Sequence, residues 1–360
     1  MTDQKKMPLL SVEDLFVDFD LFTGTQRTTI HAVRGVSFTV NLGQILGIVG
    51  ESGSGKSVTT SCIAGLVPKN AQARGKILYE GKDLLALMEA SREGRKRQRK
   101  VAAEQLRAFR GKKIGMIFQE PARSFDPLQN MFSVFMETFR NSDKKITREQ
   151  AFSKAVKLLQ ETGIEKAQER LGNFPHQFSG GQLQRIGIAL ALAQDCQLLI
   201  ADEPTTALDV TIQKQIVDLL LDLKKRRGIS IIFISHNIDL VAEISDRIMV
   251  MYGGMVMENG EAKKISSNPK HPYTKALLSL SPGFGSHYST TPLSPIPGKV
   301  ADPARPEPGC PFYPRCQFAA KMSQERELSC KGLIPPLYPQ GNEYLVRCPF
   351  INESFEGEKP

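Results

Sequence analysis

Eight consecutive residues, Gly50-Glu51-Ser52-Gly53-Ser54-Gly55-Lys56-Ser57, have the composition and order of a loop that cradles phosphates. They fit G-x-x-x-x-G-K-[ST], in which glycines let backbone N–H groups close around an anion and the helix that follows adds positive potential. Lys56 is then expected to reach the outer phosphates of a nucleotide, and the Ser57 hydroxyl to hold Mg²⁺. Farther along, Leu198-Leu199-Ile200-Ala201-Asp202-Glu203 ends an apolar run on two adjacent carboxylates. Asp202 suits a Mg²⁺ contact through water, and Glu203 suits a base that polarises an attacking water. A plain acidic strand end is the other reading. Phe178-Ser179-Gly180-Gly181-Gln182 opens a second helical stretch, Leu183 to Gln194. With Ser179 as cap it makes another anion-receptive terminus, or simply a flexible glycine cap.

The remaining chemistry lies in six cysteines. Cys310, Cys316, Cys330 and Cys348 crowd the C-terminal part of the chain, in Gly309-Cys310-Pro311-Phe312-Tyr313-Pro314-Arg315-Cys316, at Cys330, and in Arg347-Cys348-Pro349-Phe350. In a reducing compartment such a cluster points to metal rather than to disulfides. Spacing alone does not separate zinc from an iron–sulfur centre. Cys62 follows the phosphate loop in a helix and Cys196 sits beside a strand, so both are expected to be buried core thiols.

These groups need elements to bring them together. Gln44 to Val49, Lys113 to Phe118, Leu198 to Ala201 and Ser230 to Ile234 have the continuous apolar character of buried parallel strands. Each ends in a polar residue, and open α/β sheets bind ligands at the carboxyl ends of their strands. Leu9 to Val40 alternates in the manner of antiparallel strands and predicts a small flanking sheet, while Ile146 to Phe174 predicts a helical lobe. Ser281 to Pro308 is rich in proline and short polar residues, the composition of a linker or extended arm.

Composition, 41% apolar and 24% charged in 360 residues, is that of a globular chain able to bury a full core. No apolar run approaches the roughly 18 residues of a spanning helix, and the polar, lysine-bearing start lacks a signal-peptide core, so a cytosolic setting is expected. The formal charge of +9 is concentrated: Arg92 to Lys113 holds ten Lys or Arg against two Glu. Without interleaved aromatics for base stacking, this stretch predicts a solvated helical excursion, with a phosphate or lipid headgroup contact as the alternative.

Taken in order and spacing, Gly50 to Ser57, Gln119, Phe178 to Gln182, Asp202-Glu203, Asp209 and His236 resemble the nucleotide-binding subunit of an ABC transporter. The resemblance implies a P-loop NTPase of ABC type: an α/β domain with a mixed-sheet core, a flanking antiparallel β subdomain and a helical subdomain at about 120–190. It implies that Ser179, Gly180, Gly181 and Gln182 are the signature motif, here with Phe178 where Leu is usual, contacting ATP held by the opposite subunit of a head-to-tail dimer. Gln119 matches the glutamine that senses Mg²⁺ and the transmembrane partner, His236 the histidine at the γ-phosphate, and Asp209 the loop that communicates across the dimer. An aromatic residue usually stacks on adenine just after the first strand; Phe19 aligns best, with Phe22 close behind.

The tail extends the resemblance. His271-Pro272-Tyr273-Thr274, Leu277-Leu278, Pro295-Ile296-Pro297-Gly298 and the four cysteines are similar to the C-terminal extension of the peptide-importing branch of this family. The expected organisation is an ATPase domain over 1–265, a Pro-rich connection over 266–308 and a cysteine-containing extension over 309–360. Some members hold a [4Fe–4S] cluster on four cysteines, which soft thiolates suit, with zinc second and free thiols third. Thirteen residues separate Cys316 from Cys330, more than the branch usually has, and the basic stretch ahead of Gln119 is also longer than usual.

The expected activity is ATP hydrolysis that powers import of dipeptides or oligopeptides, using ATP and Mg²⁺. Nickel or another small solute is the alternative cargo. A soluble ABC ATPase acting on the ribosome or nucleic acid is the alternative class, and no nucleic acid is expected as partner. The expected partners are a second ATPase, most simply a paralogue, two membrane permease subunits and a periplasmic or extracellular solute-binding protein. That assembly would hold the chain peripherally on the cytoplasmic face of the plasma membrane.

Overall fold

The computed structural model describes residues 7–24, 26–93, 95–206, 208–280, 296–319, 323–341 and 343–350. The first 120 residues give β1 (Leu10–Thr23), β2 (Gln26–Val40), β3 (Ile45–Val49), α1 (Lys56–Ile63), β4 (Ala71–Tyr79), β5 (Lys82–Asp83), α2 (Leu84–Glu93), α3 (Lys96–Phe109) and β6 (Ile114–Ile117). Then follow α4 (Met131–Ser142), α5 (Arg148–Glu161), α6 (Ala167–Arg170), α7 (Gly180–Ala191), β7 (Leu198–Asp202), α8 (Val210–Arg227) and β8 (Ser230–Ser235). The rest is α9 (Ile238–Ile244), β9 (Arg247–Tyr252), β10 (Met255–Glu261), α10 (Ala262–Ser267), α11 (Pro272–Ser279), α12 (Gln324–Gly332), β11 (Tyr338–Pro339) and β12 (Leu345–Val346). The chain clusters into two compact units, each assembled from separate stretches.

One unit takes Val40–Gln44 and Ala86–Ile234. Its centre is the parallel run β6, β7, β8, with Ile114 opposite Leu198 and Leu198 opposite Ser230. Every residue of β7 and β8 is buried, which is why these strands are continuously apolar instead of alternating. Helix α5 starts where Thr147 and Gln150 form a reciprocal capping box, and α4 starts where Asn130 accepts the Ser133 N–H. Phe135, Phe139, Ala151, Ala155 and Leu159 turn inward and build the helical lobe. The basic stretch is helical: α3 buries only Ala102, Leu106 and Phe109 and turns its cations to solvent.

The other unit takes Leu10–Thr39, Ile45–Leu85 and the chain from Ser235 onward. A four-stranded sheet runs β2-β1-β4-β5, the flanking sheet that Leu9 to Val40 predicts, with Leu10 opposite Tyr79 and Phe19 opposite Ala71. Of the larger, eight-stranded sheet this unit holds the run β11-β12-β10-β9-β3, parallel between β9 and β3 and antiparallel beyond. Gly47 in β3 exists to be overlain: a Cβ there would stand 2.0 Å from Val241 of α9. The C-terminal extension is folded into this unit. Its strand β12 pairs with β10 through Glu258 opposite Val346, and the buried Arg347 donates to the carbonyls of Met257, Val256 and Pro335. Residues 281–295 of the proline-rich stretch lie outside the described residues; 296–308 are irregular, as their composition predicts.

Candidate nucleotide site and cysteine cavity

The phosphate loop leaves the buried strand β3 and enters α1 through three glycines with positive φ, Gly50 (153°), Gly53 (78°) and Gly55 (97°). Two of them have no room for a side chain as well. A Cβ on Gly50 would lie 2.1 Å from the Met251 carbonyl, and one on Gly55 2.5 Å from the Ala32 carbonyl, so neither backbone can carry another residue unstrained. The loop curls around Lys56, whose Nζ donates to the carbonyls of Gly50 at 2.7 Å and Glu51 at 3.0 Å and approaches Ser54 Oγ at 3.5 Å. Ser57 follows at the start of α1, whose first turn carries no acidic residue. The result is a helix N-terminus of positive character, suited to polyphosphate. Ser52 and Gly53 are exposed at the loop's outer edge.

In the other unit, β7 delivers Asp202 and Glu203 as expected. Asp202 is buried, and Glu203 sits one residue past the strand with a φ of 46°, a left-handed backbone that a non-glycine residue adopts at a cost and that clusters at functional sites. Its carboxylate accepts from Gln119 Nε2 at 3.0 Å and from Thr206 Oγ1 at 2.9 Å, and its N–H donates to the Ile234 carbonyl. Two residues 84 apart in sequence, Gln119 and Glu203, thus meet; Thr206 joins them without any motif to mark it. Ser179 caps α7, accepting from the Gln182 N–H at 3.3 Å while Gln182 Oε1 accepts from the Ser179 N–H at 3.1 Å. Gly181 packs so near Ile212 that a Cβ would come within 2.9 Å. Phe178 is buried beneath the Arg170 guanidinium, which explains how an aromatic residue is accommodated ahead of Ser179. Asp209 caps α8, its carboxylate accepting from the Ile212 N–H at 3.0 Å.

His236 is exposed just past the end of β8, and Phe19 is half-buried in β1 while Phe22 is exposed. Cys62 and Cys196 are buried core thiols as expected, and burial pushes Cys196 up to about 11.

The four C-terminal cysteines come together. Cys310, Cys316, Cys330 and Cys348 all line one cavity in the second unit, with His271, Phe312, Phe318 and Arg347 among its other walls. Cys330 is included despite its long interval, because α12 carries it back and its carbonyl accepts the Cys310 N–H at 2.8 Å. Burial is the largest cause that holds these groups protonated, and neighbouring thiols add to it at Cys330 and Cys348: Cys330 is pushed up to about 11 and Cys348 to about 12. Among the described residues, however, no group of three or more His, Cys, Asp or Glu is arranged to hold a metal ion. The donors are soft and enclosed, but they stand as thiols around a cavity, not as a ligand set.

Tyr273 and Arg315 stand in the quoted segments of the C-terminal extension, but sequence alone does not connect them with the phosphate loop, which both touch at Glu51.

Comparison with known proteins completes this picture. Residues 33–206 match the family model "ABC transporter", and 257–322 match "Oligopeptide/dipeptide transporter, C-terminal region". The chain is 42% identical over 341 residues to the oligopeptide transport ATP-binding protein OppD of Bacillus subtilis, covering 94% of this chain and 88% of that one. It is 41% identical to the dipeptide transport ATP-binding protein DppD of Lactococcus lactis, covering 89% and 86%. The chain belongs to the ATP-binding proteins of the oligopeptide/dipeptide ABC transporter family. Among solved structures, cbiO1 from Clostridium perfringens, described as part of the ABC transporter complex cbiONQ, superposes with a TM-score of 0.56 at 26% identity over 72% of this chain and 91% of that one. As a member of this family the chain is a transport-coupled ATPase with the ABC ATPase fold. Among the described residues no helix is long and apolar enough to cross a membrane.

Proposed function

We propose that this chain hydrolyses ATP to drive import of dipeptides or oligopeptides through membrane permease subunits, docked peripherally at their cytoplasmic side and supplied by a solute-binding protein. The relatives named above, transport ATP-binding proteins for oligopeptides and dipeptides, support the cargo. ATP is held on Gly50 to Ser57, with Phe19 against adenine, Lys56 on the outer phosphates and His236 at the γ-phosphate. Ser57, Asp202 and Gln119 offer the hard oxygen donors that Mg²⁺ prefers; the ion, when bound, neutralises charge on the β- and γ-oxygens. Ser179 to Gln182 and Asp209 face the ATP of a second ATPase, a paralogue.

The observation that carries the chemical assignment is the triad of Gln119, Thr206 and Glu203. Two donors on one carboxylate oxygen hold Glu203 in a fixed orientation, as the acceptor of a proton from attacking water. Glu203→Gln keeps the shape and removes the acceptor, so it should retain ATP binding while turnover in the assembled transporter falls by on the order of a hundredfold or more. Unaltered turnover would overturn the assignment.

We also propose a [4Fe–4S] cluster on Cys310, Cys316, Cys330 and Cys348, ahead of zinc. Support comes from four soft donors lining one enclosed cavity and from Arg347, a buried cation in the same wall that would offset the charge of ligating thiolates. To ligate the cluster the four thiols would have to lose their protons. Protein purified without oxygen should contain iron and absorb visible light, and Cys330→Ser should lose both. Stoichiometric zinc with no iron would replace the cluster with the runner-up.

A further inference from the structure

Glu51 is an odd neighbour for a polyphosphate: its carboxylate is the one acidic side chain within Gly50 to Ser57. It is held from three directions. Its N–H donates to Tyr273 Oη at 2.9 Å, its carbonyl accepts from Lys56 Nζ at 3.0 Å, and its carboxylate receives Arg315 as a fork, Nη1 to Oε2 at 2.5 Å and Nη2 to Oε1 at 3.1 Å. Arg315, with its side chain 4% exposed, is itself fixed: Nε donates to the Pro297 carbonyl at 2.9 Å, Nη2 to that of Ile296 at 3.1 Å, and Nη1 to Tyr252 Oη at 3.2 Å. The guanidinium also lies over the Tyr252 ring, which packs on Tyr273.

A buried bidentate Arg–carboxylate pair is directional and strong, and leaving one partner alone in such a place is costly. We propose that Arg315 is a positioning residue for the nucleotide: it neutralises Glu51 and holds the phosphate loop at that residue, so the C-terminal extension forms part of the ATP site. Two effects follow from one contact. The pair cancels a negative charge that would repel phosphate, and through Glu51 it fixes the carbonyl on which Lys56 rests. The inference rests on ATP binding at Gly50 to Ser57, and Lys56→Ala tests that separately.

Binding of a fluorescent ATP analogue with Mg²⁺ to the full-length chain reads the effect. Arg315→Ala should weaken binding by about tenfold, the loss of about one charge-assisted contact. Because part of the defect is Glu51's exposed charge, Arg315→Ala combined with Glu51→Gln should recover most of the affinity, and about 0.5 M salt should narrow the gap between Arg315→Ala and the parent chain. Arg315→Lys, which keeps charge but not the fork, should fall between, and it serves as the test if the alanine variant does not fold. Tight binding within twofold of the parent in folded Arg315→Ala or Arg315→Lys overturns the proposal, as does a double variant no better than Arg315→Ala. Should Lys56→Ala bind normally, the loop is not the nucleotide site and that reading fails instead.

Discussion

Eight consecutive residues make the phosphate loop, whereas the cavity lined by Cys310, Cys316, Cys330 and Cys348 draws its walls from stretches scattered between His271 and Pro349 of the same unit. The loop is a backbone device. Its glycines occupy backbone conformations unfavourable to other residues, Gly50 and Gly55 also lack room for a side chain, and its lysine is gripped by carbonyls of the loop itself. The cavity is a side-chain device, dependent on β12 joining β10 and on α12 returning Cys330. A device of the first kind fails sharply under a single methyl group; one of the second loses its ligand while its surroundings stand.

The difference is sharpest at Gly50. Adding a methyl group against the Met251 carbonyl at 2.1 Å requires the loop and β9 to part, so Gly50→Ala should cost roughly 3 kcal/mol or more in urea unfolding and abolish nucleotide binding. Next comes Lys56→Ala, which removes a buried cation but leaves the glycine framework. ATP affinity should fall by on the order of a hundredfold, and a few kcal/mol of charge-assisted contact sets that scale. Cys310→Ser should act oppositely, eliminating the iron proposed for the cavity while ATP affinity stays within about twofold of the parent chain. If Cys310→Ser weakened ATP as much as Lys56→Ala, the two regions would be one site and the contrast would be wrong.

The same contrast explains what the sequence makes legible. Gly50 to Ser57 is local, so composition and order suffice; the buried strands β3, β6, β7 and β8 are continuous apolar runs and announce themselves too. The meeting of Gln119 with Glu203 is non-local, and strand-end position is what betrays it. Thr206 and Arg315 escape notice because a threonine after an acidic pair, or an arginine before a cysteine, has no period or spacing of its own; only the fold shows that one donates to Glu203 and the other to Glu51. Within the extension expected over 309–360, the pairing of β12 with β10 is not legible, because β12 is only two residues long and carries no strand-length pattern to read.

A smaller effect separates the regions by pH. His271 lines the cysteine cavity, is fully enclosed, and accepts the Tyr273 N–H on Nδ1 at 3.0 Å to cap α11, so that nitrogen carries no proton. Burial, and then the nearby Arg347, push its imidazole down to about 3. Glu258, which accepts from the His271 N–H and from Tyr344, is itself raised by burial and does not pull the imidazole back up. From about pH 6.5 down to about 3, the unfolded chain therefore holds a proton on this residue that the folded chain refuses. Stability falls as acid is added through that window, by about 1.4 kcal/mol between pH 7.5 and 5.5. His271→Asn keeps a capping acceptor and cannot titrate, so its urea midpoint should lose less over the same interval. Parallel pH profiles for the two proteins would show that the acid sensitivity lies elsewhere, and that the cavity wall is indifferent to the charge of its one histidine.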